Sequence, residues 1–395
     1  MSDAHSEPSQ KKKWVKRVLL ILLILLLVIT LGIGFFIWRA GHTWDSKTEK
    51  FDSITKVDED LSKIKEKLGE AKPLNVTELK APTVTNSDTG KNGTNANGSD
   101  AAAALAANAS EHDKDGDGIL DDGYSYDVVK GPGKNILLLG SDTRSGSEAA
   151  LVSGSRADSI MLMHIPADGK GVYLVSIMRD TWVNIPGYGS AKINAALNYG
   201  GISLQVATVE NLLGIKIDHV AEIEFEGFKA LVNSVNGVDV QVPFDFDINA
   251  WSFKQGMQHM DGGAALAFVR ARYPFADGDY QRVRNQRAFL RGLYNTMKAK
   301  GALSNVGSFQ SAVESIAGYM RVDSGLDAAQ IAQIAAPVLT SGDTTMRMTT
   351  LPNAGPGWSY DGQSIVIVNQ AANANLSYAL QHDSMDQFMA TYGQD

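Results

Sequence analysis

Two aspartates stand at the ends of predicted strands, where a protein can hold a metal ion. Asp142 follows the apolar run Asn135–Gly140, and Asp158 directly precedes the apolar run Ser159–Ile165. Ligands of α/β proteins bind where strands end, and Mg²⁺ is commonly held by one or two carboxylates together with phosphate oxygens. The pair predicts an Mg²⁺ site, with Mn²⁺ as the alternative ion. The alternative interpretation of each aspartate alone is a turn or helix-cap residue.

A set of guanidinium and amide side chains lies after the third predicted strand and around two predicted helices. Its members are Arg179, Arg270, Arg272, Arg282 and Gln286. Arginine forks bind phosphate oxygens with two parallel hydrogen bonds and keep their charge at neutral pH. Because the chain is acidic elsewhere, the cluster predicts a polyphosphate site. The alternative is an ordinary salt-bridged helix surface. Asp277 and Asp279 would neutralise only part of the cluster, which favours the phosphate site.

A third pattern is the acidic sequence DKDGDGILDD at residues 113–122. Its D-x-D-x-D-G spacing brings Asp113, Asp115 and Asp117 around a glycine turn, which is the oxygen-rich arrangement that Ca²⁺ prefers. The glutamate expected at loop position twelve is missing, since Tyr124 stands there. The sequence therefore leaves two alternatives, a Ca²⁺ loop of structural type and a solvated acidic turn.

Composition excludes several other chemistries. The chain has 395 residues, no cysteine and a formal net charge of −8. The missing cysteines rule out disulfides, thiolate catalysis and cysteine-based metal sites, and the acidic balance argues against nucleic acid as a partner. The sequence contains no P-loop, no G-x-S-x-G elbow and no H-E-x-x-H zinc helix.

The N-terminus carries the features of a membrane anchor. Residues 18–38 form an uncharged, mainly apolar run of 21 residues, long enough for a transmembrane helix. Lysines and an arginine precede it, so residues 1–17 are expected in the cytoplasm and the rest outside the cell. The alternative is a cleaved signal peptide, which would normally have a shorter apolar region and a small-residue cleavage site. The predicted localisation is the cell membrane, crossed once, with an extracellular catalytic domain.

Two polar segments separate this anchor from the globular part. Residues 39–71 are expected to form a helical stalk, because apolar residues from Ile54 to Leu68 recur with heptad spacing. The alternative is a helix that lies on its own domain. Residues 72–123 are rich in Thr, Asn, Gly, Ser and Ala and are expected to form a flexible linker that carries the acidic loop.

Residues 124–395 are predicted to form an α/β domain. Apolar runs typical of strands alternate with stretches that have helical periodicity. The predicted strands include Asn135–Gly140, Ser159–Ile165, Val172–Met178 and Thr345–Thr350. Such alternation favours a central mixed sheet with helices on both faces.

Short motifs follow one another in a fixed order across about residues 130–295. They are NILLLGSDTR (135–144), RADSI (156–160), SIMRD (176–180), KINAA (192–196), NYGG (198–201), FEGF (225–228), VNGVDV (235–240), FVRARY (268–273), DYQR (279–282) and QR (286–287). This set closely resembles the LytR-CpsA-Psr family of bacterial envelope proteins. The resemblance does not cover the linker or the acidic loop.

The resemblance implies a Mg²⁺-dependent phosphotransferase. It would move a glycopolymer from a polyprenyl-diphosphate carrier to peptidoglycan and form a phosphodiester bond, with teichoic acid and capsule among the candidate polymers. Carried over by position, Asp142 and Asp158 would hold the metal, and Arg179 with the other members of the cluster would grip the diphosphate. Asp142 is also the candidate acceptor for the proton of the attacking hydroxyl. The alternatives are a non-catalytic polyprenyl-phosphate-binding or regulatory protein and a polyprenyl-diphosphate hydrolase.

Overall fold

A mixed sheet of seven strands forms the centre of the chain. The computed structural model describes residues 39–51, 72–74, 107, 109, 111–120, 124–141, 157–299, 314, 317–340 and 345–393. In spatial order, the strands are β1 (Glu49–Phe51), β14 (Met320–Asp323), β9 (His219–Glu224), β4 (Lys134–Ser141), β5 (Ala157–Ile165), β6 (Gly171–Ile177) and β15 (Thr345–Thr350). The central strand β4 runs parallel to β9 and antiparallel to β5. The predicted mixed sheet is confirmed.

Helices cover both faces of the sheet because the apolar side chains of its strands alternate between the two faces. Successive side chains of a strand point to opposite faces, so Leu137 and Leu139 of β4 join one apolar cluster, and Ile136 joins another with Leu138 packed against it. The helices α1 (Ala195–Leu213), α6 (Gln370–Gln381) and α7 (Met385–Tyr392) contribute to the first cluster. Helix α5 (Ala328–Thr340) contributes to the second. The expectation of helices on both faces is confirmed.

A third layer lies beyond the end of β9. It contains α2 (Phe225–Ser234), α3 (Gly262–Arg270) and α4 (Asp279–Ala299), together with two short strand pairs. These pairs are β10 (Val238–Val242) with β13 (Gly256–Met260) and β11 (Phe246–Ile248) with β12 (Trp251–Phe253). Phe268 and Phe289 are buried at the centre of its separate apolar cluster. This layer therefore has a core of its own beside the sheet.

Three further strand pairs and a short turn complete the described elements. They are β2 (Lys72–Leu74) with β3 (Tyr124–Tyr126), β7 (Trp182–Ile185) with β8 (Gly189–Lys192), β16 (Asn353–Trp358) with β17 (Ser364–Val368), and the 3₁₀ turn Ala317–Tyr319. The β7–β8 and β16–β17 pairs are antiparallel hairpins, and both follow strands of the central sheet in the chain.

The globular unit begins earlier in the chain than the sequence predicted. Residues 39–47 are helical, and the indole nitrogen of Trp44 donates a hydrogen bond to the carbonyl of Leu326 at 3.1 Å. Glu49–Phe51 then pairs in parallel with β14 as an edge strand. The predicted helical stalk is therefore wrong at residues 49–51, because their backbone groups pair with the otherwise open edge of β14. Residues 52–71 lie outside the described part of the chain.

The predicted flexible linker also needs correction at both of its ends. Lys72–Leu74 pairs in parallel with Tyr124–Tyr126. In the acidic loop, the carbonyl of Gly118 accepts a hydrogen bond from Gln370 Nε2 at 2.6 Å, and Ala109 is fully buried against the domain. These segments belong to the folded unit, so a boundary at residue 124 would cut through it.

The predicted transmembrane segment, residues 18–38, lies outside the described residues, as does the cytoplasmic tail before it. Within the ranges that the structure describes, we find no helix with the length and apolar character needed to cross a membrane.

We expect Trp44→Phe to destabilise the domain by about 1–3 kcal/mol, because the buried carbonyl of Leu326 loses its donor. Chemical unfolding of the full-length chain would measure this change. Trp358→Phe is a matched control, since the Trp358 ring is mostly exposed and its replacement should change stability by less than about 0.5 kcal/mol. Equal stability of the two variants would show that the segment before β1 does not hold the domain together.

Candidate active site

The ends of four central strands lie together along one margin of the sheet. This row of strand ends, here named the sheet edge, is distinct from the lateral edge formed by β1. The last residues of β4 and β9 lie side by side, since Ser141 pairs with Glu224. The start of β5 meets the same point because β5 is antiparallel to β4, and the end of β6 follows because Ile177 pairs with Ile160. The register therefore brings Asp158, at the start of β5, next to Arg179, which follows β6.

Asp158 and Arg179 form an ion pair at this edge. Arg179 Nη1 donates to Asp158 Oδ1 at 2.7 Å, and both side chains are only partly exposed. Burial would lower the pKa of Arg179, but the carboxylates of Asp158, Asp180 and Asp279 outweigh this effect and raise it. The guanidinium therefore keeps its full charge at the site.

The third layer supplies a second set of polar groups from one face of α4. Asp279, Arg282 and Gln286 are separated by three and four residues, so they lie one above another on the helix. All three are buried, and the Gln286 amide donates to the carbonyl of Val269 at 3.4 Å. Because of this helical spacing, the three side chains lie together beside the sheet edge.

Asp279 lies among three arginines that come from three parts of the chain. Its Oδ1 atom is 2.6 Å from Arg282 Nη2, 3.4 Å from Arg272 Nε and 3.9 Å from Arg179 Nε. Asp279 is 7% exposed and Arg282 is 3% exposed. Burial raises the pKa of the Asp279 carboxyl against the opposing effect of Arg282, and burial lowers the pKa of Arg282. One carboxylate thus connects the guanidinium groups of Arg179, Arg272 and Arg282.

Asp180 provides a second connection, since its carboxylate also lies near Arg179, 3.8 Å from Nε. Its carboxylate lies 3.4 Å from Arg272 Nη2 and 3.1 Å from Lys192 Nζ. The sequence predicted that Asp279 neutralises part of the arginine charge, and it gave no site role to Asp180 or Lys192, which lie in the motifs SIMRD and KINAA. Asp180 directly follows Arg179 in SIMRD, Asp279 precedes Arg282 by three residues in DYQR, and Lys192 begins KINAA. Their place in these motifs was the signal that could have identified them.

A cleft of about 340 Å³ opens beside these charges. One side is the sheet face, with Leu138, Met161, Leu174 and Ile223. The other side is the third layer, whose apolar lining residues are Phe225, Phe228, Leu266, Val269, Phe289 and Leu290. The cleft is therefore apolar along most of its length, and its charged groups lie at the sheet edge.

The structure brings most of the predicted site residues together in this cleft. Those that line it are Asp158, Arg179, Arg270, Arg272, Arg282 and Gln286. The guanidinium of Arg270 also lies 4.2 Å from the centre of the Phe225 ring. Asp142 lies outside the described residues. The catalytic and binding roles given to these residues stay predictions.

Asp158 fits the role of a metal ligand in its chemistry and its position. Its carboxylate lines the cleft and is partly exposed, and one of its oxygens is engaged by Arg179. Among the described residues we find no partner for its second oxygen, which could therefore bind a hard cation of the kind that carboxylates hold. The site would also need the predicted partner Asp142 and phosphate oxygens.

The acidic loop forms a separate group of three carboxylates. Asp113, Asp115 and Asp117 each offer an oxygen within 4.8 Å of the others, and none of them lines the cleft. Backbone amides already bind these side chains, as when Ile119 N donates to Asp117 Oδ1 at 2.8 Å. Such bonds also occur in a turn without metal, so Ca²⁺ binding at this loop stays a prediction.

Comparison with protein families identifies a match over most of the described chain. A model described as the LytR_cpsA_psr family matches residues 91–388. The match begins before residue 124, in agreement with the earlier start of the folded unit.

Individual relatives match a shorter region. TagU of Bacillus anthracis, named a polyisoprenyl-teichoic acid–peptidoglycan teichoic acid transferase, is 37% identical over 188 residues, which are 47% of this chain and 60% of that protein. LcpB of Corynebacterium glutamicum, named a probable cell wall biosynthesis protein, is 39% identical over 189 residues, 45% of each chain. The matches thus span 60% or less of these two relatives.

Among solved structures, the crystal structure of B. subtilis TagV is similar to this chain with a TM-score of 0.53 and 27% sequence identity. The similarity covers 65% of this chain and 99% of that chain. This similarity indicates that the two proteins share the fold of the central sheet and its surrounding helices.

Proposed function

Because the chain belongs to the LytR-CpsA-Psr family, we propose that it transfers a glycopolymer from a polyprenyl-diphosphate carrier to peptidoglycan. The observation that carries the proposal is the cleft, which is apolar along its length and ends in Arg179, Arg270, Arg272 and Arg282. A polyprenyl diphosphate has the same division into a hydrocarbon chain and a dianionic or trianionic head. The name of the TagU relative, a teichoic acid transferase, supports the same substrate class.

The charges at the end of the cleft suit a diphosphate better than a single anion. Among the described residues, the five cations Arg179, Arg270, Arg272, Arg282 and Lys192 oppose three carboxylates, those of Asp158, Asp180 and Asp279, and the predicted ligand Asp142 would be a fourth. A surplus of positive charge therefore remains for the ligand. Planar guanidinium forks can also bind several oxygens at once.

Phosphoryl transfer requires in-line placement and neutralisation of the spreading negative charge. The hydroxyl oxygen of the acceptor sugar, by resemblance the 6-hydroxyl of N-acetylmuramic acid, would attack the phosphorus attached to the polymer. The bond from this phosphorus to the bridging oxygen breaks, and polyprenyl monophosphate leaves. The hydroxyl proton passes to a carboxylate, for which Asp142 is the candidate. The polymer thus keeps its phosphate as a phosphodiester.

Asp158 and Asp142 would hold Mg²⁺, or Mn²⁺ as the alternative, which when bound supplies positive charge to the developing phosphate oxygens. Arg179, which forms an ion pair with Asp158, would bind the diphosphate and orient the transferred phosphoryl group. Arg272 and Arg282 would hold the head group, while the apolar lining residues hold the first part of the carrier chain and exclude water.

Transfer can be tested with the full-length chain, a polyprenyl-diphosphate oligosaccharide, purified peptidoglycan and Mg²⁺. The proposal expects oligosaccharide phosphate covalently linked to peptidoglycan. Release of free oligosaccharide phosphate would instead identify a hydrolase. Donor binding without either product would favour a binding or regulatory protein.

We also propose that the domain acts outside the cell, attached to the membrane by residues 18–38. The support is the uncharged apolar run and the basic residues before it. Protease added to intact protoplasts should digest residues 40–395, whereas a cytoplasmic marker protein stays intact. Full protection of the domain would refute this orientation.

Arg272→Ala should weaken donor binding by roughly 10- to 150-fold, the equivalent of about 1.5–3 kcal/mol for a charge-assisted hydrogen bond. Arg272→Lys should restore only part of the affinity, because an ammonium group lacks the planar fork. Titration with polyprenyl diphosphate measures both effects. Arg284→Ala is the matched control. Arg284 is an exposed residue of α4 that pairs with Asp277, just before the helix, and it does not line the cleft. Equal losses in the Arg272 and Arg284 variants would contradict the assignment.

A further inference from the structure

Two large aromatic side chains protrude from the β16–β17 hairpin. Trp358 is 76% exposed and Tyr360 is 90% exposed. Burying an aromatic ring is one of the larger favourable contributions to folding or binding. Two exposed rings that lie two residues apart in one hairpin are therefore candidates for contact with another molecule.

The hairpin is attached directly to the charged end of the cleft. Thr181 forms an isolated parallel bridge with Val366, and Val366 N donates to the carbonyl of Asp180 at 2.9 Å. The ring of Tyr360 lies 6.3 Å from that of Trp182, centre to centre. Trp182 in turn pairs with Lys192, whose ammonium binds the carboxylate of Asp180. A continuous series of contacts thus leads from the arginine cluster to the ring of Tyr360, and Trp358 lies two residues earlier in the same hairpin.

Hydrogen bonds hold the tip of the hairpin in one conformation. Ser359 N donates to the carbonyl of Gln363 at 2.9 Å, and Gln363 N donates to Ser359 Oγ at 2.9 Å. Asp361 accepts from the Ser359 hydroxyl and, at 2.6 Å, from Gln363 Nε2. A surface that is already ordered loses less conformational entropy when it binds a ligand.

The chemistry around the rings favours a carbohydrate over a membrane. A sugar ring can pack its C–H groups on the negative face of an aromatic ring, and its hydroxyls need polar partners such as the exposed side chains of Asp361 and Gln363. A hairpin that binds an anionic membrane surface would be expected to carry lysine or arginine. Residues 351–395 contain four aspartates and neither lysine nor arginine.

We propose that Trp358 and Tyr360 form a binding surface for the glycan strand of the acceptor and guide its hydroxyl toward the arginine cluster. The inference deepens the proposed function and rests on it, since it assumes that the acceptor is peptidoglycan. The two rings act as positioning residues, because the reacting atoms lie in the cleft.

The test compares wild type with the double variant Trp358→Ala/Tyr360→Ala, both as full-length chains in detergent. Cosedimentation with purified peptidoglycan sacculi should show binding at least ~10-fold weaker for the variant. In the transfer assay, the KM for peptidoglycan should rise by a similar factor, with kcat unchanged at saturating acceptor. Affinity for polyprenyl diphosphate should stay the same, because neither ring lines the cleft.

Two further variants sharpen the comparison. Trp358→Phe/Tyr360→Phe keeps both ring faces and should retain most of the sacculus binding. Trp251→Ala removes a partly exposed ring from the separate β11–β12 hairpin and should bind sacculi as wild type does. Loss of binding in all three variants would point to a general defect and overturn the proposal.

The remaining outcomes separate this inference from the proposed function. The inference is overturned if wild type does not bind sacculi, or if the double alanine variant binds them equally well. It is also overturned if that variant loses binding only to phosphatidylglycerol vesicles, which would identify a membrane contact. If sacculus binding depends on the rings but wild type does not bind polyprenyl diphosphate, the aromatic surface stands and the proposed transfer fails.

Discussion

Asp158→Asn should reduce the rate of transfer by about 10²–10³-fold or more, while the donor stays bound within a few-fold of its wild-type affinity. The amide keeps the shape of the side chain but loses the negative charge that would hold Mg²⁺. Metal charge acts mainly on the transition state, whereas the arginines bind the diphosphate in the ground state. The variant should therefore bind the donor in its cleft but fail to transfer the glycopolymer.

The measurements are single-turnover transfer and donor titration on the same protein preparation. Asp277→Asn provides the control, because Asp277 is exposed, pairs with Arg284 and does not line the cleft. Chelation of Mg²⁺ should lower the activity of wild type to that of Asp158→Asn and leave the variant unchanged. If Asp158→Asn transferred the glycopolymer at the wild-type rate at a known Mg²⁺ concentration, the metal assignment would be wrong.

Asp279→Ala should lower the free energy of unfolding by about 3–5 kcal/mol, because it leaves the buried guanidinium of Arg282 without its carboxylate partner. The same change removes the group that Arg179 and Arg272 share. Donor affinity should fall as well, since the three guanidinium groups would then repel one another without a central negative charge. Denaturant unfolding and donor titration measure the two effects separately.

The chain offers a closely matched control beside the same helix. Asp277 and Arg284 also form an ion pair, but both side chains are about half exposed. Solvent screens such a pair, so Asp277→Ala should cost only about 0–1 kcal/mol. If the Asp277 and Asp279 variants unfolded alike, Asp279 would be an ordinary surface carboxylate and not an organiser of the cleft.

Local patterns along the chain are sufficient to predict much of the site. Helical spacing alone places Arg282 and Gln286 on one face of α4, because residues four apart are neighbours on a helix. The apolar run of β4 predicted a buried strand, and its pairing with two strands bears this out. Such features depend on residues within one or two turns or one strand, so the sequence contains the information directly.

Contacts between distant parts of the chain were harder to predict. Glu49–Phe51 has no strong strand pattern and becomes a strand because β14 offers an unpaired edge. The hairpin β16–β17 reaches the site through the bridge between Thr181 and Val366. Neither partner can be identified from local periodicity, since many pairings bury similar apolar area and only the assembled sheet selects one.

Motifs and periodicity along the chain are sufficient to predict the family, the mixed α/β architecture and the polar residues at the end of the cleft. The apolar lining has the same composition as a protein core, so the sequence did not distinguish the two. The tertiary structure decided how their charges are arranged. Asp279 is paired with Arg282 one helical turn away, but also with Arg179, which lies far earlier in the chain. Burial makes that carboxylate costly unless several cations surround it. Only the packing of α4 against the sheet edge supplies those cations together, which is why an apparent neutraliser in the sequence is a central residue of the folded site.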